Sequence, residues 1–93
     1  MSEEKYQGFE KWLKENNYVS WKTYLSFTNQ IEKTFLTKEF DKITSIAKLT
    51  SLLSELQSNR NFASRSKSDR NNILSSFKTY IQFMEEIKLK LNN

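Results

Sequence analysis

The sequence has 93 residues, a length that fits one compact domain with a single hydrophobic core. Apolar residues make up 37% of the chain and aromatic residues 14%, which is enough to build that core and argues against an intrinsically disordered chain. The chain contains no Cys and no His, so disulfides and thiolate metal sites are excluded and the commonest general base is missing.

Membrane insertion and secretion have no support in the sequence. No stretch approaches the roughly 20 apolar residues that a membrane helix needs, and the acidic start of the chain is not followed by a continuous apolar run. We therefore expect a soluble, cytoplasmic protein with no membrane partner. The chain also lacks Pro and has Gly8 as its one glycine, a composition that favours helices over strands and hairpins.

Two amphipathic helices are predicted in the first part of the chain. The first spans about residues 3–15, and Ser20 is well placed to cap a second helix over about residues 21–36. The apolar residues at helical spacing are Tyr6, Phe9, Trp12 and Leu13 in the first helix and Tyr24, Phe27, Ile31 and Phe35 in the second. We interpret Trp12 and Trp21 as core or half-core residues rather than as platforms for base stacking.

A third helix is predicted over about residues 44–57, capped by Thr44 or Ser45. Its apolar stripe consists of Ile46, Leu49, Leu52, Leu53 and Leu56. Residues 58–68 are polar and rich in capping residues, so they are predicted to form a loop with Phe62 anchored on the core.

The last predicted helix opens near Ser68 or Asp69, spans about residues 69–91 and is roughly 35 Å long. Its stripe is Ile73, Phe77, Tyr80, Met84, Ile87 and Leu91. Phe83 and Leu89 lie beside this stripe and are candidates for contact with another domain or a second copy of the chain. Four helices with short connections predict an all-α, single-domain four-helix bundle with a long C-terminal helix.

The positive charge is concentrated in one segment. Residues 1–55 hold eight lysines and eight acids, and residues 81–93 also balance, so the net charge of +4 arises between Leu56 and Tyr80. The charged residues there are Arg60, Arg65, Lys67, Arg70 and Lys78, with Asp69 as the single acid. Arginine matches phosphate oxygens, and a helix N-terminus attracts anions, so the segment is a candidate anion-binding site. Charge alone is equally compatible with a solvated basic loop.

Four local patterns occur in order between roughly Glu4 and Glu86. They are Phe9-Glu10-Lys11-Trp12-Leu13; Tyr18-Val19-Ser20 leading to Thr23, Phe27 and Ile31; Phe40-Asp41-Lys42-Ile43-Thr44 before the leucine stripe; and Leu74-Ser75-Ser76-Phe77-Lys78-Thr79-Tyr80-Ile81-Gln82-Phe83-Met84. In this order and spacing they resemble the SAM-like core-binding domain at the N-terminus of phage integrases and other tyrosine recombinases. The last run is similar to that family's Leu-Ser-Ala-Leu-Arg-x-Phe-x-x-Phe-Leu segment.

The resemblance implies a SAM-like helical bundle that contacts one side of a DNA duplex, while a separate C-terminal domain carries out catalysis. The implied contacts fall at the starts of the second and fourth helices. The matching positions here are Ser20, Lys22 and Thr23, then Ser66, Lys67, Ser68 and Arg70, with Arg65 close by. The second group coincides with the cationic segment, whereas the first group depends on the resemblance.

We therefore predict a non-catalytic module that binds double-stranded DNA and uses no cofactor, metal or small-molecule substrate. The predicted DNA-binding residues are Arg60, Arg65, Ser66, Lys67, Ser68, Arg70, Lys78, Ser20, Lys22 and Thr23. The chain is either a fragment of a larger recombinase, with a C-terminal catalytic domain as partner, or a free-standing protein. The alternative is a small helical adaptor or inhibitor, of phage origin for example, that holds a protein partner with its basic loop or the flank of its last helix.

Overall fold

The computed structural model describes the backbone of residues 1–92 and the side chains of residues 1–89, and within these residues it contains helices and no strand. The helices are α1 (Glu3–Glu15), α2 (Trp21–Gln30), α3 (Ile46–Gln57), α4 (Arg60–Ala63) and α5 (Lys67–Asn92). A π-helical segment, Ile31–Phe35, continues α2, and a 3-10 turn, Phe40–Lys42, precedes α3. The prediction of an all-helical fold is confirmed. The predicted stripe residue Leu91 lies outside the described side chains.

Helix α1 has the bounds that its sequence pattern predicts. The hydroxyl of Ser2 accepts a hydrogen bond from the backbone N–H of Lys5 at 3.2 Å, and two acidic residues occupy the first turn, where the helix dipole favours them. Asn17 follows the helix with φ of 64°, a left-handed conformation that asparagine tolerates better than most residues. This turn directs the chain back towards α2.

Helix α2 differs from the prediction at both ends. Ser20 occupies the N-cap position, but its side chain makes no capping hydrogen bond. After Gln30 the helix widens, and the backbone N–H of Leu36 donates to the carbonyl of Ile31 at 2.9 Å, five residues back. The expected regular helix over residues 21–36 is therefore wrong in its last turn, since a wider turn shifts the side chains that follow around the axis.

A buried carboxylate joins this π-helical segment to two other parts of the chain. Glu32 is 6% exposed, and its carboxylate accepts hydrogen bonds from the N-terminal ammonium of Met1 and from the backbone N–H of Phe40, the latter at 2.6 Å. Burial of a carboxylate is costly unless donors of this kind surround it. Glu32 thus ties the start of the chain and the 3-10 turn to the end of the second helix.

The predicted loop over residues 58–68 contains one helical turn, so that prediction is wrong for α4. Asn59 begins the turn: its side-chain oxygen accepts from the N–H of Phe62 at 3.0 Å, and its side-chain nitrogen donates to the carbonyl of Phe35 at 2.7 Å. Phe62 is 4% exposed and packs edge-on against Phe35, with ring centres 6.4 Å apart. The expectation that Phe62 anchors this segment on the core is confirmed.

Helix α5 begins at Lys67, two residues before the predicted start at 69. Its cap is Ser66, whose hydroxyl accepts a hydrogen bond from the backbone N–H of Asp69 at 3.1 Å. The described stripe residues from Ile73 to Met84 are buried, and Ile87 is half-buried. The helix packs mainly against α2 and α3.

Aromatic side chains form the centre of the core around Tyr80. Its ring meets that of Phe9 edge-on at 5.4 Å and stacks on that of Phe40 at 5.2 Å, which brings α1 and the 3-10 turn onto α5. Burial raises the pKa of the Tyr80 hydroxyl, which therefore stays neutral. Phe83 is 4% exposed and packs on Phe9 and Trp12, so its expected role at an outer interface is wrong.

The direction of α2 relative to α5 follows from contacts at its two ends. Near its start, Tyr18 stacks on Trp12, which in turn contacts Phe83 in the C-terminal half of α5. The π-helical continuation ends at Phe35, beside Phe62 and close to the start of α5. The two helices therefore run antiparallel, and features at opposite ends of α2 lie at opposite ends of the bundle.

We predict that Asn59→Ala lowers the free energy of unfolding by about 1–3 kcal/mol, because it removes both the helix cap and the hydrogen bond to Phe35. Chemical denaturation followed by circular dichroism measures the change. Asn61→Ala is the matched control, since Asn61 is exposed in the same turn and should change stability by less than about 0.5 kcal/mol. Equal effects of the two substitutions would contradict the double role of Asn59.

Candidate nucleic-acid interface

The connection between α4 and α5 brings four of the predicted cationic residues to one end of the molecule. Arg60 begins α4, Arg65 lies in the short link, and Lys67 and Arg70 occupy the first turn of α5. We call these four residues the junction cluster. The single acid in this part of the sequence, Asp69, also lies in the first turn of α5. Four of the five basic residues of the charged segment thus fall within α4, the link and the first turn of α5.

Arg65 is held by two neighbours without being neutralised. Its guanidinium lies 5.4 Å from the centre of the Phe35 ring, and one of its nitrogens is 3.7 Å from a carboxylate oxygen of Asp69. Both charged side chains remain substantially exposed, at 40% and 45%. An ion pair this exposed contributes about 0.2–1 kcal/mol. A phosphate can therefore replace Asp69 at Arg65 at small cost.

Arg70 has a structural role as well as a charge. Its Nη1 donates a hydrogen bond to the carbonyl of Ala63 at 3.2 Å, at the C-terminal end of α4. This bond joins the first turn of α5 to the end of α4 and restrains the link that carries Arg65. Arginine has five N–H donors, so the other donors of Arg70 are not used by this bond.

An exposed face of α5 continues the cationic surface away from the junction. Lys67 and Lys78 lie eleven residues apart in the helix, which places them about 16 Å apart along the axis and about 20° apart around it. Asn71 and Ser75 lie between them, and all four side chains are exposed. We call these four residues the α5 face. Asn71 and Ser75 are not among the predicted DNA-binding residues, and they lie four and eight residues after Lys67 on this face.

The predicted site residues at the start of α2 lie away from the junction cluster. Ser20, Lys22 and Thr23 are exposed. From Trp21, α2 and its continuation extend about 20 Å to Phe35, which lies beside Arg65. The fold therefore does not bring the two predicted groups together but places them at the two ends of one helix.

A lysine that the sequence analysis did not single out lies beside the start of α2. The ammonium nitrogen of Lys14 is 4.3 Å from the centre of the Trp21 ring, and that of Lys22 is 5.4 Å from it. Trp21 is half-exposed, whereas Trp12 is buried and donates a hydrogen bond from its indole nitrogen to the carboxylate of Glu86. The interpretation of Trp12 as a core residue is confirmed, and Trp21 is a half-core residue.

The described part of the chain offers neither a cluster of metal ligands nor a membrane-spanning helix. Its acidic side chains form no group of three or more that could hold a metal ion. None of its helices combines the length and the apolar composition required to cross a bilayer.

Comparison with protein-family models, with curated proteins and with solved structures finds no match to this chain. The resemblance to a recombinase core-binding domain therefore stays a prediction.

Ser66→Ala should destabilise the protein by about 1 kcal/mol, because the first turn of α5 loses its cap. Ser68→Ala removes the same hydroxyl from an exposed position two residues later and should leave stability within about 0.5 kcal/mol of the parent. Thermal unfolding of the two variants distinguishes them. A larger loss for the Ser68 variant would place the start of the helix where the sequence pattern predicted it.

Proposed function

We propose that this chain is a non-catalytic module that binds duplex DNA, with a SAM-like arrangement of helices, through the junction cluster and the α5 face. One observation carries the proposal: the residues that give the chain its excess positive charge lie at the α4–α5 junction and along one exposed face of α5, and the one acid of that segment, Asp69, is weakly paired with Arg65. Proteins that bind DNA derive much of their affinity from this kind of surface, because each neutralised phosphate releases counterions.

The dimensions of the α5 face suit a major groove. That groove is about 12 Å wide in B-form DNA, and Lys67 and Lys78 are about 16 Å apart along the helix, so their flexible side chains can reach phosphates on both sides. Asn71 and Ser75 then face the base edges, and asparagine is suited to paired hydrogen bonds with adenine. In this arrangement the lysines position the helix and the residues between them read the sequence.

The arginines of the junction cluster extend the contact beyond α5. Arg65 is held over the ring of Phe35, so its guanidinium is oriented before a phosphate arrives. A preoriented planar donor loses less conformational entropy on binding than a free side chain does. The exposed residues at the start of α2 lie about 20 Å away, so they are not part of this proposed duplex contact.

A larger protein is part of the proposal, since the resemblance implies a separate catalytic domain as the partner of this module. The adaptor alternative uses either the basic loop or the flank of the last helix to hold a protein partner. Its last-helix form requires an uncovered apolar stripe, but Ile73, Phe77, Tyr80 and Met84 are buried within the chain itself. Leu89, with 64% exposure, is the large apolar side chain that stays open on the described part of α5.

The main test is binding to a short duplex, measured by fluorescence anisotropy over a range of salt concentrations. The parent protein should bind at low salt, with a log–log slope of about 0.9 for each phosphate neutralised. The double variant Arg65→Ala/Lys67→Ala should bind at least about tenfold more weakly, and its salt slope should fall by about 1.8.

The matched control is Lys11→Ala/Lys42→Ala, which removes the same charge from exposed positions outside the proposed surface. Its affinity should stay within about threefold of the parent, because surface charges distant from a contact act through a screened field. Equal weakening by both double variants, or no duplex binding at low salt, would refute the proposed surface.

Asp69→Asn should increase duplex affinity by roughly two- to fivefold, because it removes the competing carboxylate at Arg65 and one negative charge from the surface. Glu15→Gln changes the net charge equally at another exposed ion pair, that of Lys11, and should alter the affinity less. The same anisotropy titration compares both variants. A decrease in affinity for the Asp69 variant would show that the carboxylate orients Arg65 productively.

A further inference from the structure

The turn between α1 and α2 presents an apolar and aromatic surface to solvent. Val19 is 95% exposed, and Trp21 beside it packs partly on the core and keeps part of its ring open to solvent. Single exposed apolar residues are common and need no explanation. Here, however, the exposed residue adjoins an accessible indole ring, and the two form one patch with the lysines around them.

Two ammonium groups from different helices converge on that ring. Lys14 projects from α1 and Lys22 from α2, with their nitrogens 4.3 and 5.4 Å from the ring centre. The nitrogen of Lys14 is also 3.4 Å from a carboxylate oxygen of Glu10, one turn earlier in α1, in an exposed ion pair of small energy. A cation–π contact at an exposed site is worth about 0.5–1 kcal/mol. Such weak contacts keep the ammonium groups close to the ring but let them move to a nearby phosphate. We call Lys14, Val19, Trp21 and Lys22 the Trp21 patch.

The patch has a rigid base and an open polar edge. Tyr18 stacks on the buried Trp12 and meets Tyr24 edge-on, with ring centres 5.7 and 5.2 Å apart, so the turn is anchored to the core beneath it. The side chain of Ser20 makes no capping hydrogen bond, and the backbone N–H of Thr23 donates instead to the Ser20 carbonyl at 2.9 Å, so the exposed Ser20 hydroxyl is not used as a cap. The ring is therefore held in place beside an exposed hydroxyl.

We propose that the Trp21 patch binds single-stranded nucleic acid. An unpaired base stacks on the indole ring beside Val19, and Lys14 and Lys22 move to the phosphates on either side of that base. Aromatic stacking combined with basic side chains is the general chemistry of single-strand binding. An acidic peptide would satisfy the two lysines but would offer the ring no planar partner, so the single strand fits the whole patch better.

This site is distinct from the duplex surface and does not depend on it. The patch lies at the start of α2, about 20 Å from the junction cluster at the other end. A DNA molecule with a duplex segment and a single-stranded tail could occupy both surfaces at once. Variants of one surface should therefore leave binding at the other intact.

The experiment measures the binding of a labelled ten-nucleotide oligo-dT by fluorescence anisotropy at low salt. Trp21→Ala should weaken binding about 5- to 100-fold, and Trp21→Phe should retain part of the affinity because a smaller ring still stacks. Lys14→Ala/Lys22→Ala should reduce the salt slope by about 1.4, at about 0.7 per phosphate for a single strand. Arg65→Ala/Lys67→Ala should bind oligo-dT like the parent, and this variant separates the outcome from that of the duplex proposal.

The variant Val19→Glu tests the patch with a substitution that should not disturb the fold. Its side chain lies almost entirely in solvent, so the substitution should preserve the circular dichroism spectrum and thermal midpoint while placing a negative charge beside the phosphates. Its oligo-dT affinity should fall at least about fivefold, since a close like charge opposes binding. Unchanged oligo-dT affinity for this variant or for Trp21→Ala would overturn the proposal. A parent protein that does not bind oligo-dT would also overturn it. So would displacement of bound oligo-dT by an oligo-glutamate peptide at equal charge concentration.

Discussion

The antiparallel packing of α2 against α5 is the constraint on which the rest of the structure depends. Because the two helices run in opposite directions, the α1–α2 turn lies against the C-terminal half of α5 and the end of the π-helical segment lies beside its start. The aromatic cluster around Tyr80 fills the space between them and α1. The separation of the two cationic surfaces is therefore a property of the core and not of the loops that carry the charges.

Phe35 links this core to the junction cluster. Its carbonyl accepts a hydrogen bond from Asn59, and its ring contacts both Phe62 and the guanidinium of Arg65. The buried carboxylate of Glu32, one turn earlier, holds the same segment to the backbone of the 3-10 turn. A single short segment thus supports α4, orients an arginine and joins the two halves of the bundle. The position of the proposed duplex surface, and the orientation of the arginine in it, therefore depend on this segment.

The two proposed surfaces differ in the physical interaction that each can offer. The junction cluster and the α5 face combine charge with short polar side chains, and such groups suit phosphates and paired base edges. The Trp21 patch adds an accessible aromatic ring, which suits an unstacked base. In both places the intramolecular partners of the charged groups are weak: Asp69 for Arg65, a ring face for Lys22, and a ring face with the carboxylate of Glu10 for Lys14. Weak partners hold a charged side chain in position but still allow a ligand to bind it.

Helical periodicity and the distribution of charge could be determined from the sequence, because both depend only on residues that are close together in the chain. They predicted the helical class, the bounds of α1, the anchoring of Phe62 and the cationic segment before α5. The π-helical segment, the burial of Glu32 and Phe83 and the approach of Lys14 to Trp21 were decided by tertiary structure alone. Each depends on residues that are distant in the chain or on a change of helical register, and only packing against other helices brings such groups together.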